Sequence, residues 1–526
     1  MGSRLHSLLL VSAHRQPERL ALLEGGRPVT YGVLALRVEA VARGLAAFGL
    51  QSGERVAVWL PKSPEAVMAM FGTSMAGGVF VPVHQGLKSA QVAHVLADSG
   101  ATMLVTSAAR LVQLAGVLGS LPALTTVLLV DNAPPDLLPL LPARLRLVPF
   151  AQTEIERGPE LPTVAADALA ALFYTSGSTG RPKGVMLSHL NLCVGAASVA
   201  QYLGNTREDR ILAVLPFSFD YGFSQLTTGF LSGACVVMMD YLLPRDVVQA
   251  VARDGITGLA AVPPLWSALS VLDWPDAARA GLRYLTNSGG VMPQSVLARL
   301  RQQLPSTRVF LMYGLTEAFR STYLPPEELD AHPDSIGRAI PNADVRVLHP
   351  DGAPCAVGEQ GELVHSGPLV AQGYWNDAEA TAARFRPAPV FMQGNRAVWS
   401  GDTAWADAEG RLHFVGRADG MLKCSGHRVS PTEVEEVAYG TGLVGDAVLV
   451  GLPHDTLGHE LVLFATEPRN VDQDPEALIR ALRSALPSYL IPAIVIWRTA
   501  LPRTPNGKFD RVALAAEAAN RLKGLA

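Results

Sequence analysis

The chain has 526 residues, which as a soft prior corresponds to about three or four domain-sized units. Its 43 Lys and Arg residues against 47 Asp and Glu give a formal net charge of −4 without a polybasic or polyacidic block, which argues against nucleic acid or an anionic membrane as partner. With 49% hydrophobic and 17% charged residues, wholesale disorder is excluded. The composition therefore favours globular domains that act on small molecules.

Helices and strands are predicted to alternate through the first 150 residues. An amphipathic helix is expected from its N-cap Thr30 to Phe48, and buried strands are expected at 55–60, 101–106 and 125–130. Such alternation is typical of an α/β domain with a largely parallel sheet flanked by helices. No apolar run is long enough for a membrane-spanning helix, and the four widely spaced cysteines fit a reducing cytoplasm.

The second half of the chain changes its pattern twice. Glycines interrupt short apolar runs between about 335 and 417, which predicts a small β-rich subdomain. After a polar, glycine-bearing segment at 418–420, strand and helix patterns resume and predict a small α+β domain at 421–526. We therefore expect an α/β protein with a large N-terminal domain at 1–417 and a small C-terminal domain.

One loop combines hydroxyl groups, glycines and positive charge. It runs Tyr174-Thr-Ser-Gly-Ser-Thr-Gly-Arg-Pro-Lys-Gly184, directly after an apolar strand predicted at 168–173. Its backbone N–H groups, its hydroxyls and Lys183 are the groups that polyphosphate binding requires. In a Walker A loop the lysine follows glycine and precedes Ser or Thr, whereas Lys183 stands between Pro and Gly. A P-loop kinase or ATPase is therefore disfavoured.

Four further motifs follow in a fixed order. They are Tyr313-Gly-Leu-Thr-Glu317, Ser400-Gly-Asp402, the run Gly416–Gly426, and Pro502-Arg-Thr-Pro-Asn-Gly-Lys508. Together with the loop, this set resembles the adenylate-forming enzymes, which include acyl-CoA synthetases, adenylation domains of nonribosomal peptide synthesis, and luciferase. The resemblance covers nearly the whole chain. It implies an enzyme that uses ATP and Mg²⁺ to adenylate a carboxylic acid and then transfers the acyl group to a thiol, releasing AMP.

The resemblance also assigns the nucleotide site. The polyphosphate would be bound by the hydroxyl loop, namely Thr175, Ser176, Gly177, Ser178, Thr179, Gly180 and Lys183. The adenine would lie against Tyr313 and Gly314 and against the backbone of Ser288, Gly289 and Gly290. Thr316 would contact the α-phosphate, and Glu317 would hold Mg²⁺, whose preference for oxygen ligands suits a carboxylate. The ribose would be bound by Asp402 and Arg417.

The last two motifs are assigned to catalysis and to the acceptor. Lys508 would enter the active site and neutralise charge between the attacking carboxylate and the α-phosphate. By resemblance, Asp419 is the hinge about which the small C-terminal domain moves between an adenylating and a thioester-forming pose. In the second pose Lys423 and Gly426 would face the pantetheine arm of the acceptor, which is either a separate carrier protein or CoA.

The acyl pocket is assigned by offset from the same motifs. Phe219 falls at the gate of the pocket, and Asp220 falls where amino-acid-activating relatives place an aspartate against the substrate ammonium. The remaining expected pocket residues are mostly small or polar: Tyr221, Ser224, Ala261, Thr286, Ser288, Met312, Arg320 and Ser321. A buried carboxylate without a partner favours a cationic amine, so an amino acid is the leading substrate class. If Arg320 pairs with Asp220, this inference fails.

Several alternatives remain open at this point. The run Glu317–Thr322 is similar to that of free-standing prolyl-carrier-protein ligases and also to that of acyl-CoA ligases that accompany bacterial exosortase systems. An acyl-CoA synthetase acting on a non-amino acid is therefore the main alternative to an aminoacyl-carrier-protein ligase. More distant alternatives are an ADP-forming ATPase or kinase and a catalytically silent scaffold.

Overall fold

The computed structural model describes residues 3–134, 139, 141–175, 182–417, 420, 422–424, 427–454, 458–467, 475–486 and 488–523. Within these ranges, side chains are described for all residues except Arg417, Lys423, His427, Arg428, Tyr489, Leu522 and Lys523.

The first 150 residues alternate helices and strands, as the sequence predicts. The helices are α1 (Leu5–Arg15), α2 (Tyr31–Ala47), α3 (Pro64–Met75), α4 (Ser89–Ser99) and α5 (Ala108–Leu114). The strands are β1 (Leu20–Glu24), β2 (Arg27–Thr30), β3 (Arg55–Trp59), β4 (Val79–Pro82), β5 (Met103–Thr106), β6 (Thr126–Leu129) and β7 (Arg146–Pro149). Thr30 caps α2 by accepting a hydrogen bond from the Val33 N–H, which confirms the predicted helix start.

The middle of the chain continues the pattern. Its helices are α6 (His189–Leu203), α7 (Asp220–Ser232), α8 (Pro244–Arg253), α9 (Pro263–Leu269), α10 (Asp276–Gly281) and α11 (Gln294–Gln303). Its strands are β8 (Leu169–Thr175), β9 (Lys183–Ser188), β10 (Arg210–Ala213), β11 (Cys235–Met238), β12 (Gly258–Ala261), β13 (Tyr284–Asn287), β14 (Arg308–Tyr313) and β15 (Thr322–Leu324). Two hydrogen bonds exchanged between Ser188 and Asn191 fix the first turn of α6.

Two sheets within the described residues organise this large part of the molecule. β16 (Arg338–Ala339) completes a nine-stranded sheet of order β16-β15-β14-β13-β12-β10-β11-β1-β2, and the second sheet has the order β7-β6-β5-β3-β4-β8-β9. The central strands pair in parallel, whereas the β14–β15, β15–β16, β1–β2 and β8–β9 pairs are antiparallel. Because β12, β13 and β14 run in one direction, their carboxyl ends meet at one edge of the sheet.

The next segment forms the predicted β-rich subdomain. It consists of α12 (Ala378–Arg384) and the strands β17 (Asp344–Leu348), β18 (Gly361–Ser366), β19 (Phe385–Pro387), β20 (Arg396–Ala406) and β21 (Leu412–Arg417). The strands form an antiparallel sheet in which β20 pairs with β18, β19 and β21. This antiparallel sheet explains why glycines and short apolar runs replace the helix-and-strand pattern here.

The C-terminal part has a sheet of its own. Its strands are β22 (Leu422–Cys424), β23 (His427–Val429), β24 (Ala447–His454), β25 (Gly458–Thr466) and β26 (Ile494–Arg498), and its helices are α13 (Pro431–Gly440), α14 (Pro475–Ala485) and α15 (Arg511–Lys523). Alternate residues of β24 face two small cores: Leu449 packs with α13 and α14, whereas Val448 packs with Leu514 and Ala518 of α15. The predicted α/β class with a separate α+β sheet is therefore confirmed.

The domain boundaries at 417 and 421 stay predictions, since Ala418 and Asp419 lie outside the described residues. In the part of the chain that the structure describes, no helix is both long and apolar enough to cross a membrane.

Candidate active site

Lys508 is one of the residues through which the C-terminal part contacts the large part of the molecule. It lies in a tight turn in which the Thr504 N–H donates to the Lys508 carbonyl at 2.7 Å and the Gly507 N–H donates to the Thr504 carbonyl at 2.9 Å. Its Nζ lies 5.5 Å from the centre of the Phe219 ring. A Cβ built on Gly289 would lie 2.9 Å from Lys508 Cε. The structure therefore brings three residues together that the sequence assigned separately to catalysis, acyl binding and nucleotide binding.

The predicted polyphosphate loop connects two antiparallel strands. β8 ends at Thr175 and β9 begins at Lys183, and these two residues are register partners. Lys183 Nζ lies 2.9 Å from Asp377 Oδ2 and 5.5 Å from the centre of the Tyr374 ring. The other predicted loop residues, Ser176, Gly177, Ser178, Thr179 and Gly180, lie outside the described residues.

The predicted adenine and ribose residues are in contact with each other. Tyr313 ends β14, and its hydroxyl donates a hydrogen bond to Asp402 Oδ2 from the neighbouring β-rich subdomain. The Tyr313 ring lies nearly parallel to that of His365, with 5.8 Å between centroids. Burial lowers the pKa of His365 to about 3, so this imidazole is neutral beside the tyrosine. Arg417 pairs with Asp402 in the backbone register of β20 and β21, which places it at the same corner.

Thr316 and Glu317 lie in a short 3₁₀ turn that follows Gly314, three residues after the end of β14. Glu317 Oε1 accepts a hydrogen bond of 2.6 Å from the Tyr374 hydroxyl. This contact holds the carboxylate near Lys183, since Tyr374 also lies under the lysine ammonium. Hydrogen-bonded carboxylate oxygens of this kind suit a hard divalent cation such as Mg²⁺.

Asp220 is not the unpaired carboxylate that the substrate argument required. Arg320 Nη1 donates to Asp220 Oδ2 at 3.0 Å, and Thr316 Oγ1 donates to Asp220 Oδ1 at 3.0 Å. The two charged side chains are 3% and 4% exposed, so the ion pair is buried. Its two charges cancel within the pocket. The premise that the Asp220 carboxylate is unpaired is therefore wrong.

Arg320 is fixed from several sides. Its Nη2 donates to Ser224 Oγ at 3.0 Å, and its guanidinium carbon lies 4.7 Å from the centre of the Tyr221 ring. Its Nε and the hydroxyl of Ser321 are buried and have no hydrogen-bond partner among the described residues. Buried polar groups usually have a hydrogen-bond partner, so these two atoms are exceptions to that rule.

The other predicted pocket residues meet because neighbouring parallel strands end together. Ala261 ends β12, Thr286 lies near the end of β13, Met312 near the end of β14, and Ser288 follows β13. All four are buried. The Tyr221 hydroxyl and Thr286 Oγ1 are 2.5 Å apart, which ties α7 to β13. These residues therefore lie together at the carboxyl edge of the sheet, where the sequence predicts the acyl pocket.

The predicted hinge residue and one of the two predicted acceptor-facing residues lie outside the described part of the chain. Asp419 and Gly426 are not described, and Lys423 is described as the middle residue of β22 without its side chain. Their assigned roles stay predictions.

Sequence reasoning missed Tyr374, Asp377 and His365. Tyr374 and Asp377 belong to the run Gly-Tyr-Trp-Asn-Asp in the glycine-punctuated region, where the sequence indicated turns and nothing more. A pair of aromatic and acidic residues directly before a helix start at Ala378 was the available signal, since Asp is a common N-cap. The contacts of Tyr374 and Asp377 with Lys183 and Glu317 could be recognised only from the three-dimensional structure.

Comparison with protein families gives two matches. The model described as "AMP-binding enzyme" matches residues 9–375, and that described as "AMP-binding enzyme C-terminal domain" matches residues 433–508. The second match ends at Lys508.

Two curated proteins are similar over nearly their full length. The L-proline–[L-prolyl-carrier protein] ligase of Streptomyces coelicolor is 35% identical, with 94% of this chain and 93% of that protein aligned. The feruloyl-CoA synthase of an Amycolatopsis species is 33% identical, with 94% of this chain and 95% of that protein aligned. A much longer relative, from the linear gramicidin synthase of Brevibacillus parabrevis, is 30% identical, and there 98% of this chain covers 10% of the relative's length.

Two solved structures share the fold across almost the entire chain. ATP-bound MatB from Rhodopseudomonas palustris superposes with a TM-score of 0.85 at 25% identity, covering 98% of this chain and 99% of that one. The o-succinylbenzoate coenzyme A synthetase of Bacillus subtilis, in complex with ATP and a magnesium ion, superposes with a TM-score of 0.79 at 25% identity, covering 96% and 98%.

Proposed function

This chain belongs to the AMP-binding enzymes, and from that premise we propose that it adenylates a carboxylic acid with ATP and passes the acyl group to a pantetheine thiol. The observation that carries the proposal is the position of Lys508: its Nζ lies 5.5 Å from the centre of the Phe219 ring, and its Cε lies 2.9 Å from where a Cβ on Gly289 would be. At that position an ammonium group can stabilise charge between a carboxylate in the acyl pocket and the α-phosphate of a bound nucleotide.

The first step joins the acid to the nucleotide. A carboxylate oxygen attacks the α-phosphorus of ATP in line, a C–O–P link forms, and the bond to the β-phosphate breaks so that pyrophosphate leaves with the electron pair. Lys183 and the hydroxyl loop hold the β and γ phosphates, Thr316 contacts the α-phosphate, and Lys508 stabilises the developing charge. Glu317 would hold Mg²⁺, which supplies charge neutralisation to the phosphate oxygens. Tyr313, Gly314 and Ser288–Gly290 bind adenine, while Asp402 and Arg417 bind ribose.

In the second step a pantetheine thiol displaces AMP from the acyl group. A thiolate attacks the acyl carbon, a C–S bond forms, and the C–O bond to AMP breaks with AMP as the leaving group. In this proposal the C-terminal domain turns about Asp419, so that Lys423 and Gly426 replace Lys508 beside the acyl group. The acceptor is a separate carrier protein or free CoA.

The Asp220–Arg320 pair supports an acid whose chain brings no net charge into the pocket. An added ammonium would bury a charge beside a pair that is already neutral, which costs free energy without a new counter-charge. The Arg320 Nε and the Ser321 hydroxyl favour a chain that carries a hydrogen-bonding oxygen. We therefore place uncharged acids with a hydroxyl, ether or carbonyl oxygen first among the substrates.

A second candidate is an amino acid loaded onto a carrier protein. It is favoured by the 35% identity to the prolyl-carrier-protein ligase over 94% of this chain. Proline is therefore the amino acid to include first in any comparison of substrates.

The test is ATP–pyrophosphate exchange, measured across uncharged fatty, aryl and hydroxy-aryl acids, dicarboxylic acids and the twenty amino acids. We expect exchange with at least one uncharged acid, together with AMP as the nucleotide product when CoA or a carrier protein is added. Exchange with proline alone would establish the second candidate. ADP formation would identify a kinase or ATPase, and failure across the whole panel would favour a catalytically silent scaffold.

A further inference from the structure

The segment that follows β18 is joined by backbone hydrogen bonds to the strand that starts with Lys183. The Met186 N–H donates to the Gly373 carbonyl at 2.9 Å, and the Trp375 N–H donates to the Gly184 carbonyl at 2.7 Å. An isolated bridge also pairs Val185 with Tyr374. These bonds fix the backbone of the segment beside Lys183. The contacts between side chains of the segment and Lys183 therefore follow from the paired backbones.

Asp377 uses its two carboxylate oxygens for different partners. Oδ1 accepts the Ala380 N–H at 2.9 Å and thereby caps α12, whereas Oδ2 lies 2.9 Å from Lys183 Nζ. The Lys183 and Asp377 side chains are 26% and 32% exposed, so solvent and incoming ions reach the pair. The hydrogen bond from Lys183 and the cap hold the pKa of Asp377 below its ordinary value of 3.8, so the carboxylate is charged at neutral pH.

A polyphosphate that binds Lys183 therefore meets two opposing effects. It gains an ammonium contact, but the ammonium already has a carboxylate partner and that carboxylate repels the incoming phosphate charge. A half-exposed ion pair of this kind is worth a modest free energy, about 0.2–1 kcal/mol, which corresponds to a factor of roughly 1.4 to 5 in affinity. The pair is thus strong enough to tune phosphate affinity and too weak to prevent binding.

We propose that Asp377 is a positioning residue that competes with polyphosphate for Lys183 and so limits the affinity of the enzyme for ATP and for the pyrophosphate product. This inference rests on the proposed role of Lys183 in the reaction. Pyrophosphate has to leave before the thiol step is driven forward, and a lysine that returns to Asp377 shortens its residence in the site.

The substitution Asp377→Asn separates charge from structure, because the Asn side-chain oxygen can still cap α12. We expect the full-length variant to bind the unreactive analogue α,β-methylene-ATP and magnesium pyrophosphate about two- to five-fold more tightly in calorimetry. The KM for ATP should fall with them. Asp246→Asn is the matched control, since Asp246 caps α8 through the Leu243 N–H and pairs with no lysine in the described structure.

A double-mutant cycle distinguishes the two proposals. Lys183→Ala should weaken binding of both ligands, and Asp377→Asn should have no further effect in that background. If Lys183→Ala leaves binding unchanged, the proposed role of Lys183 is wrong. If Lys183→Ala weakens binding but Asp377→Asn alone leaves it unchanged or weakens it, the role of Lys183 stands and the inference about Asp377 is wrong.

Discussion

The ammonium group of Lys508 is positioned by two neighbours from another part of the chain, the Phe219 ring and the backbone of Gly289. Removing one preorganised charge-stabilising group typically lowers a rate by about 10²- to 10³-fold. We therefore expect Lys508→Ala to lower ATP–pyrophosphate exchange by this factor, with little change in the calorimetric affinity for ATP.

The exposed residue Lys88 supplies the control for this prediction. Lys88→Ala should retain the exchange rate of the native enzyme. Unchanged exchange in Lys508→Ala would show that Lys508 has no part in the adenylation step.

The buried Asp220–Arg320 pair leads to a stability prediction. Arg320→Met leaves Asp220 with its charge buried and without its cation, and breaking a buried pair from one side costs about 3–5 kcal/mol. We expect the double variant Asp220→Asn, Arg320→Met to be more stable than Arg320→Met alone, because no buried charge is left. Chemical denaturation monitored by circular dichroism measures both free energies of unfolding; equal values for the two variants would contradict the argument.

At the scale of single residues, the sequence could name candidate site residues but not the side chains with which they pair. Tyr313, Asp402, Lys183 and Lys508 could be named from motifs because each belongs to a short run of recognisable residues. The choice between an unpaired and a paired Asp220 could not be made, because it depends on the rotamer of Arg320, which lies 100 residues away along the chain. Likewise, no motif indicated that Asp377 contacts Lys183.

Among the larger elements, the turn after β13 is shaped by Gly289. Its φ of +81° lies in the left-handed region, and an added Cβ would lie 2.9 Å from Lys508 Cε. We expect Gly289→Ala to displace Lys508 and to lower pyrophosphate exchange by at least about ten-fold, since one ångström of misplacement can cost about 10²-fold in rate.

Gly53 provides a control with the same backbone conformation. Its φ is also +81°, but an added Cβ would have no heavy atom within 4 Å. Gly53→Ala should therefore carry the conformational strain without loss of exchange beyond that expected from stability. Equal losses in both variants, measured by exchange and thermal unfolding together, would attribute the effect of Gly289 to strain alone.

Helices and strands were predictable where local patterns repeat. The Thr30 cap and the buried strand at Arg55–Trp59 follow from spacing and residue type. The pairing of β1 with β11 could not be predicted from local patterns. These strands lie more than 200 residues apart along the chain, and neither carries a local signal for its partner. By contrast, the carboxyl edge on which the candidate site lies is formed by β12, β13 and β14, which pair with one another across 24 to 26 residues of the chain.

At the scale of the whole molecule, two carboxylates lie where the C-terminal part meets the large part. Glu436 of α13 accepts the Gln294 N–H at the start of α11 at 2.7 Å, and Asp446 interacts with Ser267 and Arg503. Burial raises the pKa of Glu436 above 4.5 and that of Asp446 above 3.8. Because this docked arrangement favours the protonated carboxyls, docking takes up protons.

The docked arrangement should therefore be most stable at acidic pH. The free energy of docking should become less favourable as the pH rises from about 4 through the raised pKa values of the two carboxyl groups. Energy transfer between dyes attached to the two parts, recorded from pH 4.5 to 7.5, measures this change. Glu436→Gln keeps an oxygen acceptor for the Gln294 N–H and removes the titration, so its profile should be flatter. A profile with the native slope would exclude Glu436 as a source of the pH dependence.

The origin of Lys508 has a consequence for how the enzyme can change. The groups assigned to hold the nucleotide belong to the large part, whereas the lysine assigned to the reaction belongs to the C-terminal part, which has its own sheet and cores. Substitutions at the contact between these two parts can therefore change the turnover rate without changing the residues that bind the nucleotide. The catalytic rate and the nucleotide affinity therefore depend on different segments of the sequence and can change independently in evolution.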